Sequence, residues 1–230
     1  MIKKLIISIA EKILWILRNH RIPSGLALIL KHYPEKPLVI FDVGANTGQS
    51  SVEFSRWLKI AQVYAFEPSP SSFKKLASNV KSFRGISIQN IALGAKSGML
   101  TLSNDFESSM NKVVSKQSSN TIDVEVSTVD KFIGENAISH IDFLKIDVEG
   151  FELEVLLGAK EILLRQGVTF IEIEAGLAPT NNHHQPLNLL KEFLEAHGYF
   201  LILINEQVHE WIENKKYLRR CNALFIHKDA

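Results

Sequence analysis

The stretch Phe41-Asp42-Val43-Gly44-Ala45-Asn46-Thr47-Gly48-Gln49 decides how the rest of the chain is read. It closes a continuous apolar run over residues 38–43, as expected of a strand buried on both faces. Gly44 stops that run, and residues 47–58 follow with Val52, Phe54, Trp57 and Leu58 at helical spacing. The unit is therefore strand, glycine turn, helix. In doubly wound α/β folds ligands sit at the carboxyl ends of the strands, beside such a turn. Gly44 and Gly48 permit a tight turn and a close backbone approach. The turn is not a dinucleotide fingerprint, because Asn46 and Gln49 occupy the third and sixth positions where glycine is required. Nor is it a phosphate-binding P-loop, which would end in Gly-Lys-Ser/Thr.

The pattern repeats downstream. Strands are predicted at 62–67, 86–93, 142–148, 169–175, 200–204 and 223–227. Helices are predicted at 69–80, with Ser69, Ser71 or Ser72 as cap, and at 152–165 and 187–197. Strands alternating with helices imply βαβ units and an α/β, doubly wound, mostly parallel seven-stranded sheet, Rossmann-like in class. Two short strands at 99–102 and 124–127 flank a polar stretch and suggest an inserted β-hairpin or loop. The last two strands suggest a hairpin with a long charged connection over 206–220.

Length and charge bound the rest. The 230 residues, 46% hydrophobic and 22% charged, suit one soluble domain with a small appendage and are too apolar for disorder. A net charge of +1 gives no global attraction to nucleic acid, and none is expected as a partner. The single cysteine, Cys221, excludes an intrachain disulfide or a cysteine-based zinc cluster and fits a reducing, cytoplasmic setting. The charge is uneven. Residues 1–35 hold six Lys or Arg against two Glu, leaving a slightly acidic body at 36–230. Their apolar positions, from Ile2 to Leu17, follow helical spacing. This segment reads as an amphipathic helical extension packed on the core, as a homo-oligomer contact, or as a peripheral membrane contact. A secretory signal fits less well, because Glu11 and Lys12 cut the apolar run. No stretch is long and apolar enough for a transmembrane span.

The second strand ends at Glu67. A carboxylate there accepts hydrogen bonds from two ribose hydroxyls and repels a 2′-phosphate. Asp42, just before the turn, disfavours pyrophosphate and suits an amine or a sulfonium. Adenosine, amine and sulfonium together describe S-adenosylmethionine.

With these residues in place, the runs FDVGANTGQ at 41–49, YAFEP at 64–68, NIALG at 90–94, VSTVDKF at 126–132 and FLKIDVEGFELEVLLGA at 143–159 resemble the FkbM-type methyltransferases. That family's members are class I S-adenosylmethionine-dependent enzymes, generally O-methyltransferases. The resemblance spans about residues 38–175, and Val129-Asp130-Lys131-Phe132 departs mildly from the usual pattern. It implies that Gly44, Asn46, Thr47 and Gly48 cradle the methionine part of the cofactor and that Asp42 contacts its amine, directly or through water. Glu67 would hold the ribose, and Asn90, Ala92 and Leu93 would border the adenine. Ser108 and Ser109 would close over the cofactor, and Asp147 would sit beside the sulfonium or the acceptor.

Methyl transfer from a sulfonium is an in-line displacement, and an alcohol acceptor needs a general base or a metal to activate it. Candidates are Asp147, Glu149 and Glu152 after the fourth strand, and Glu172 and Glu174 on one face of the fifth. Glu172 has a structural reading as a buried partner of Lys145 or Arg165. His183 and His184, in the loop after the fifth strand, are candidate bases. Asp147 and Glu174 offer a divalent cation two carboxylates, but their spacing is not a metal signature and no metal is expected. The acceptor class is a small-molecule or glycan hydroxyl: a sugar, a glycan or a secondary metabolite. A nicotinamide-dependent Rossmann oxidoreductase and a non-catalytic S-adenosylmethionine-binding module are the alternatives.

Overall fold

The computed structural model describes residues 38–58, 61–103, 121–178, 181 and 183–229. The expectations for residues 1–35 and for Ser108 and Ser109 lie outside these.

The chain forms a seven-stranded sheet in the order β3-β2-β1-β7-β8-β10-β9. Its strands are β1 (Val39–Val43), β2 (Gln62–Phe66), β3 (Ile86–Gln89), β7 (Ile141–Ile146), β8 (Val168–Gly176), β9 (Tyr199–Ile212) and β10 (Lys215–His227). The first five named run parallel, and β10 is antiparallel to both of its neighbours. β4 (Ala92–Leu93), β5 (Gly98–Ser103) and β6 (Thr121–Ser127) make a second small sheet in the order β4-β6-β5. The expected doubly wound architecture and inserted hairpin are both present. Six helices are described: α1 (Gln49–Trp57), α2 (Pro70–Val80), α3 (Val129–Glu135), α4 (Glu152–Leu157), α5 (Lys160–Leu164) and α6 (Leu187–Ala196). Among the described residues no helix is long and apolar enough to cross a membrane.

The strand period of two divides β1 between two layers. Phe41 turns to one face and joins Tyr64, Phe66 and Phe132, with the Phe66 and Phe132 rings packed edge-on at 4.8 Å. Each fully buried Phe contributes about 1.5–3 kcal/mol of transfer free energy. Asp42 turns to the other face, where the hydroxyl of Ser51 on α1 donates to it at 2.5 Å. β8 is buried along its whole length, its two glutamates included.

Three elements differ from the sequence reading. The predicted strand over 86–93 is two strands, because Asn90 leaves the sheet and its side-chain amide donates to the carbonyls of Glu67 and Pro68. The predicted helix over 152–165 is broken at Gly158. A side chain there would overlap the Gly94 carbonyl oxygen, and the Gly158 carbonyl accepts from Asp130 N–H. The carboxylate of Asp130 then receives the N–H groups of Glu161 and Ile162, both at 2.9 Å, at the start of α5. Finally, the charged stretch over 206–220 is strand rather than connection. Glu213 and Asn214 both take positive φ, 48° and 62°, the pair a two-residue type I′ hairpin turn needs.

Candidate active site

β2 and β7 flank β1 on opposite sides, and the chain reaches β7 only after β3 and the small sheet, so the strand order reverses at β1. Ligands bind at such a switch point, outside the carboxyl ends of the strands. Two turns meet there: residues 44–48 after β1 and residues 147–151 after β7.

The first turn is held by backbone bonds. The N–H groups of Gly44 and Ala45 both donate to the Phe66 carbonyl, at 3.0 and 2.9 Å. Gly44, Asn46 and Gly48 all have positive φ. A Cβ on Gly44 would overlap the carbonyl oxygen of Asp147, and one on Gly48 would press on Leu76. These glycines therefore serve close packing of the turn as well as any approach of a ligand. The side-chain amide of Asn79 donates to the Thr47 carbonyl at 2.8 Å.

Glu67 ties this turn to the next loop. Its Oε2 accepts from Asn46 N–H at 2.8 Å and its Oε1 from Ser69 N–H at 2.9 Å. Ser69, one of three serines offered as the cap of α2, sits at the N-cap without a side-chain cap bond and uses its N–H for this carboxylate. Burial pushes the Glu67 carboxyl up to about 7, against the pull of those two N–H donors. Each carboxylate oxygen keeps acceptor capacity, so the group fits a ribose diol. Asp42 is fully buried, and its Oδ1 has no hydrogen-bond partner among the described residues. Burial raises its pKa, opposed by Lys145 and the Ser51 hydroxyl. Asn90, placed at the adenine by the resemblance, is exposed and braces the Glu67–Pro68 backbone. Ala92 and Leu93 are buried in β4 of the small sheet.

Across the sheet, Asp42, Lys145 and Glu172 stand in register on adjacent strands. Lys145 Nζ bonds Asp147 Oδ2 at 2.9 Å. Burial acts against the ammonium, but the carboxylates of Asp147 and Asp42 outweigh it and raise the Lys145 pKa. Burial pushes Glu172 up to about 7 despite Lys145. Lys145 and Glu172 are thus neighbours, as the structural reading of Glu172 expects, whereas Arg165 is exposed beyond α5. Asp147 keeps 35% of its side chain exposed at the strand end.

The second group of candidates converges beside it. His184 Nε2 lies 2.6 Å from Glu174 Oε2 and 3.6 Å from Glu149 Oε2. Glu174 also pairs with Arg220 of β10. Glu152 fixes the geometry: its two oxygens accept from Gly150 N–H at 2.8 Å and Gln185 N–H at 3.0 Å, and Gln185 Nε2 donates back to the Gly150 carbonyl at 2.9 Å. The loops carrying Glu149 and His184 are thereby stitched together. His183 does not join the cluster; its ring centroid is 6.4 Å from that of His184. Arg220 and Asn181 escaped the sequence reading. The first sits in the stretch read as a connection, and the second in a loop with no local signal.

Comparisons with known proteins give the family. A family model described as the methyltransferase FkbM domain matches residues 42–201. The chain is 30% identical over 168 residues to the hexuronic acid methyltransferase AglP of Haloferax volcanii, covering 72% of this chain and 68% of that one. It is 26% identical over 156 residues to the 2-O-methyltransferase NoeI of Sinorhizobium fredii, covering 60% of this chain and 64% of that one. In fold it resembles the magnesium protoporphyrin IX methyltransferase ChlM of Synechocystis, solved with bound S-adenosylmethionine. That likeness has a TM-score of 0.54 at 10% identity and covers 92% of this chain and 80% of that one. The matched segment carries the glycine turn, Glu67, and both carboxylates and the imidazole of the second cluster, so the chain belongs to the FkbM family of S-adenosylmethionine-dependent methyltransferases.

Proposed function

We propose that this chain O-methylates a hydroxyl of a sugar or sugar acid. The observation that carries the reading is the convergence of Glu149, Glu174 and His184 beside Asp147, at the strand ends that also hold the glycine turn and Glu67. The names of AglP and NoeI, a hexuronic acid and a 2-O-methyltransferase, favour a sugar hydroxyl over other acceptors.

S-adenosylmethionine supplies an electrophilic methyl group. Glu67 would accept hydrogen bonds from the ribose hydroxyls, and the 44–48 turn would hold the methionine end. Asp42 acts from beneath the turn, through its negative charge and its hold on Ser51. The Glu149–Glu174–His184 cluster orients and polarises the acceptor hydroxyl. Asp147, part-exposed and two residues before Glu149, takes the hydroxyl proton as the oxygen attacks. Lys145 positions Asp147 through its 2.9 Å bond.

The test has two arms. Calorimetry with S-adenosylmethionine, S-adenosylhomocysteine and NAD reads the cofactor, and preferential NAD binding would overturn the reading. Incubation with S-adenosylmethionine and a panel of hexuronic acids and neutral glycosides, followed by mass spectrometry, reads the acceptor. The expected product carries one added methyl ether; methylation of amines alone would refute the O-methyl assignment.

A further inference from the structure

We infer that Glu149, Glu174 and His184 form a divalent-cation site that binds the acceptor's oxygens. The inference rests on the reading of this end of the sheet as the acceptor side.

The side-chain amide of Asn181 has its orientation fixed twice: Nδ2 donates to the Arg219 carbonyl at 3.0 Å, and Oδ1 accepts from His183 N–H at 2.9 Å. That Oδ1 lies 3.1 Å from His184 Nδ1. An amide oxygen only accepts, so Nδ1 carries a proton. In the neutral ring Nε2 is then a lone pair. Among the described residues it faces two carboxylate oxygens, Glu174 Oε2 and Glu149 Oε2. His184 is only 6% exposed, so water does not relieve the contact. Three electron-rich atoms pointed at one another need a positive charge between them, either a proton or a metal ion.

Four features favour the metal. All three ligand atoms lie within 4.8 Å of one another. Ligands about 2.1 Å from one cation stand roughly 3.0 Å apart when adjacent and roughly 4.2 Å when opposite, so a small opening of the Glu174–His184 contact admits it. The second ring nitrogen donates to an amide carbonyl, as metal-bound imidazoles do to fix tautomer and orientation. Arg220 holds the other oxygen of Glu174, leaving Oε2 to a ligand. Glu149 has φ 52°, a left-handed conformation costly for a non-glycine residue, and the Glu152 and Gln185 bonds maintain it. Strain held at a ligand position is a mark of function.

The donor set is one imidazole and two carboxylates. It suits a first-row divalent ion such as Mn²⁺ better than Ca²⁺, which prefers oxygen alone. Three protein ligands leave coordination positions open. An acceptor hydroxyl and an adjacent oxygen, either a second hydroxyl or a sugar carboxylate, would fill them. Carboxylates are weak bases towards alcohols. A cation that acidifies the bound hydroxyl lets the proton pass to Asp147 while the oxygen forms its new bond to the methyl carbon and the sulfonium–carbon bond breaks.

The test is a Mn²⁺ titration of the full chain after chelator dialysis, followed by electron paramagnetic resonance, with S-adenosylhomocysteine calorimetry on every sample. One Mn²⁺ per chain is expected, weakened tenfold or more by Glu149→Gln and by His184→Ala, with S-adenosylhomocysteine binding preserved. Absence of a Mn²⁺ site, or a site that both variants leave unchanged, would overturn the inference and assign a proton to the gap. Failure of the wild-type chain to bind S-adenosylhomocysteine would instead count against the methyltransferase reading, and the Mn²⁺ result would stand apart from it.

Discussion

The α-carbon of Gly44 packs directly on the carbonyl oxygen of Asp147, so the turn after β1 and the turn after β7 share one backbone contact. The N–H of Asp147 completes it by donating to the Val43 carbonyl at 3.0 Å. The glycine turn and the proposed base are therefore tied together through their backbones. Gly44→Ala places a methyl group into that carbonyl at φ 83°, where an L side chain is already strained. The variant is expected to lose about 2–4 kcal/mol of stability in urea unfolding, the scale of a strained backbone plus an overlap. Affinity for S-adenosylhomocysteine should fall with it. A loss under about 0.5 kcal/mol would show that the two turns separate freely.

As the proposed ribose ligand, Glu67 is expected to make cofactor binding pH-dependent. Its carboxyl titrates near 7 in the free protein, above the ordinary value of 4.5, because burial disfavours its charge. Two ribose hydroxyls donate best to the ionised form. Affinity for S-adenosylhomocysteine should therefore rise from pH 6 to pH 8, by up to about tenfold per pH unit below the pKa. The same shift sets the opposite trend for the free protein. A carboxyl whose folded pKa is raised binds more protons folded than unfolded, so its contribution to stability is fully present below about 4.5 and is lost as pH rises through about 7. Glu67→Gln should flatten the binding profile, and calorimetry across that range checks it.

How much of this was legible in the sequence depends on where each group's partners lie. The strand–turn–helix at 41–49 and the strand-end Glu67 were readable because their signals are local: an apolar run, two glycines and a carboxylate. Their bonds stay within the turns or reach the elements that flank them, β2, α1 and α2. The break in the 152–165 helix was not readable, since it comes from Gly94, about sixty residues upstream, pressing on Gly158. Arg220 was hidden for a related reason. Its stretch is densely charged, which reads as loop until Glu213 and Asn214 turn the chain back and β10 slots between β8 and β9. The His184 tautomer needed Asn181, which the distant Arg219 carbonyl and the His183 N–H orient together.

Lys145 sits in a row with Asp42 and Glu172 and bonds Asp147, so one cation serves three carboxylates. Lys145→Met leaves them without it. Breaking a buried pair by removing one partner costs about 3–5 kcal/mol. Without the ammonium, Asp42 and Glu172 hold their protons more tightly still, so folded protein binds more protons than unfolded and stability falls as pH rises. The variant's deficit should therefore be larger at pH 8 than at pH 5.5, as measured by urea unfolding at both. A deficit independent of pH would mean that Lys145 contributes by packing alone.

Glu152 touches no proposed ligand, yet it holds Gly150 and Gln185 in the two loops that carry Glu149 and His184. It is fully buried, and burial raises its pKa against the two N–H donors. Glu152→Ala strands both backbone N–H groups, at about 1–3 kcal/mol each if water does not reach them. Glu152→Gln keeps an acceptor oxygen for one of them, so it should fall between wild type and alanine in stability. Because the Glu67 side of the cleft is untouched, S-adenosylhomocysteine should bind both variants with unchanged affinity. Turnover should drop in the order wild type, glutamine, alanine, since the Glu149–His184 spacing is what the lost bonds maintained. Equal turnover in all three, measured by release of S-adenosylhomocysteine, would show that the loops hold their geometry without Glu152.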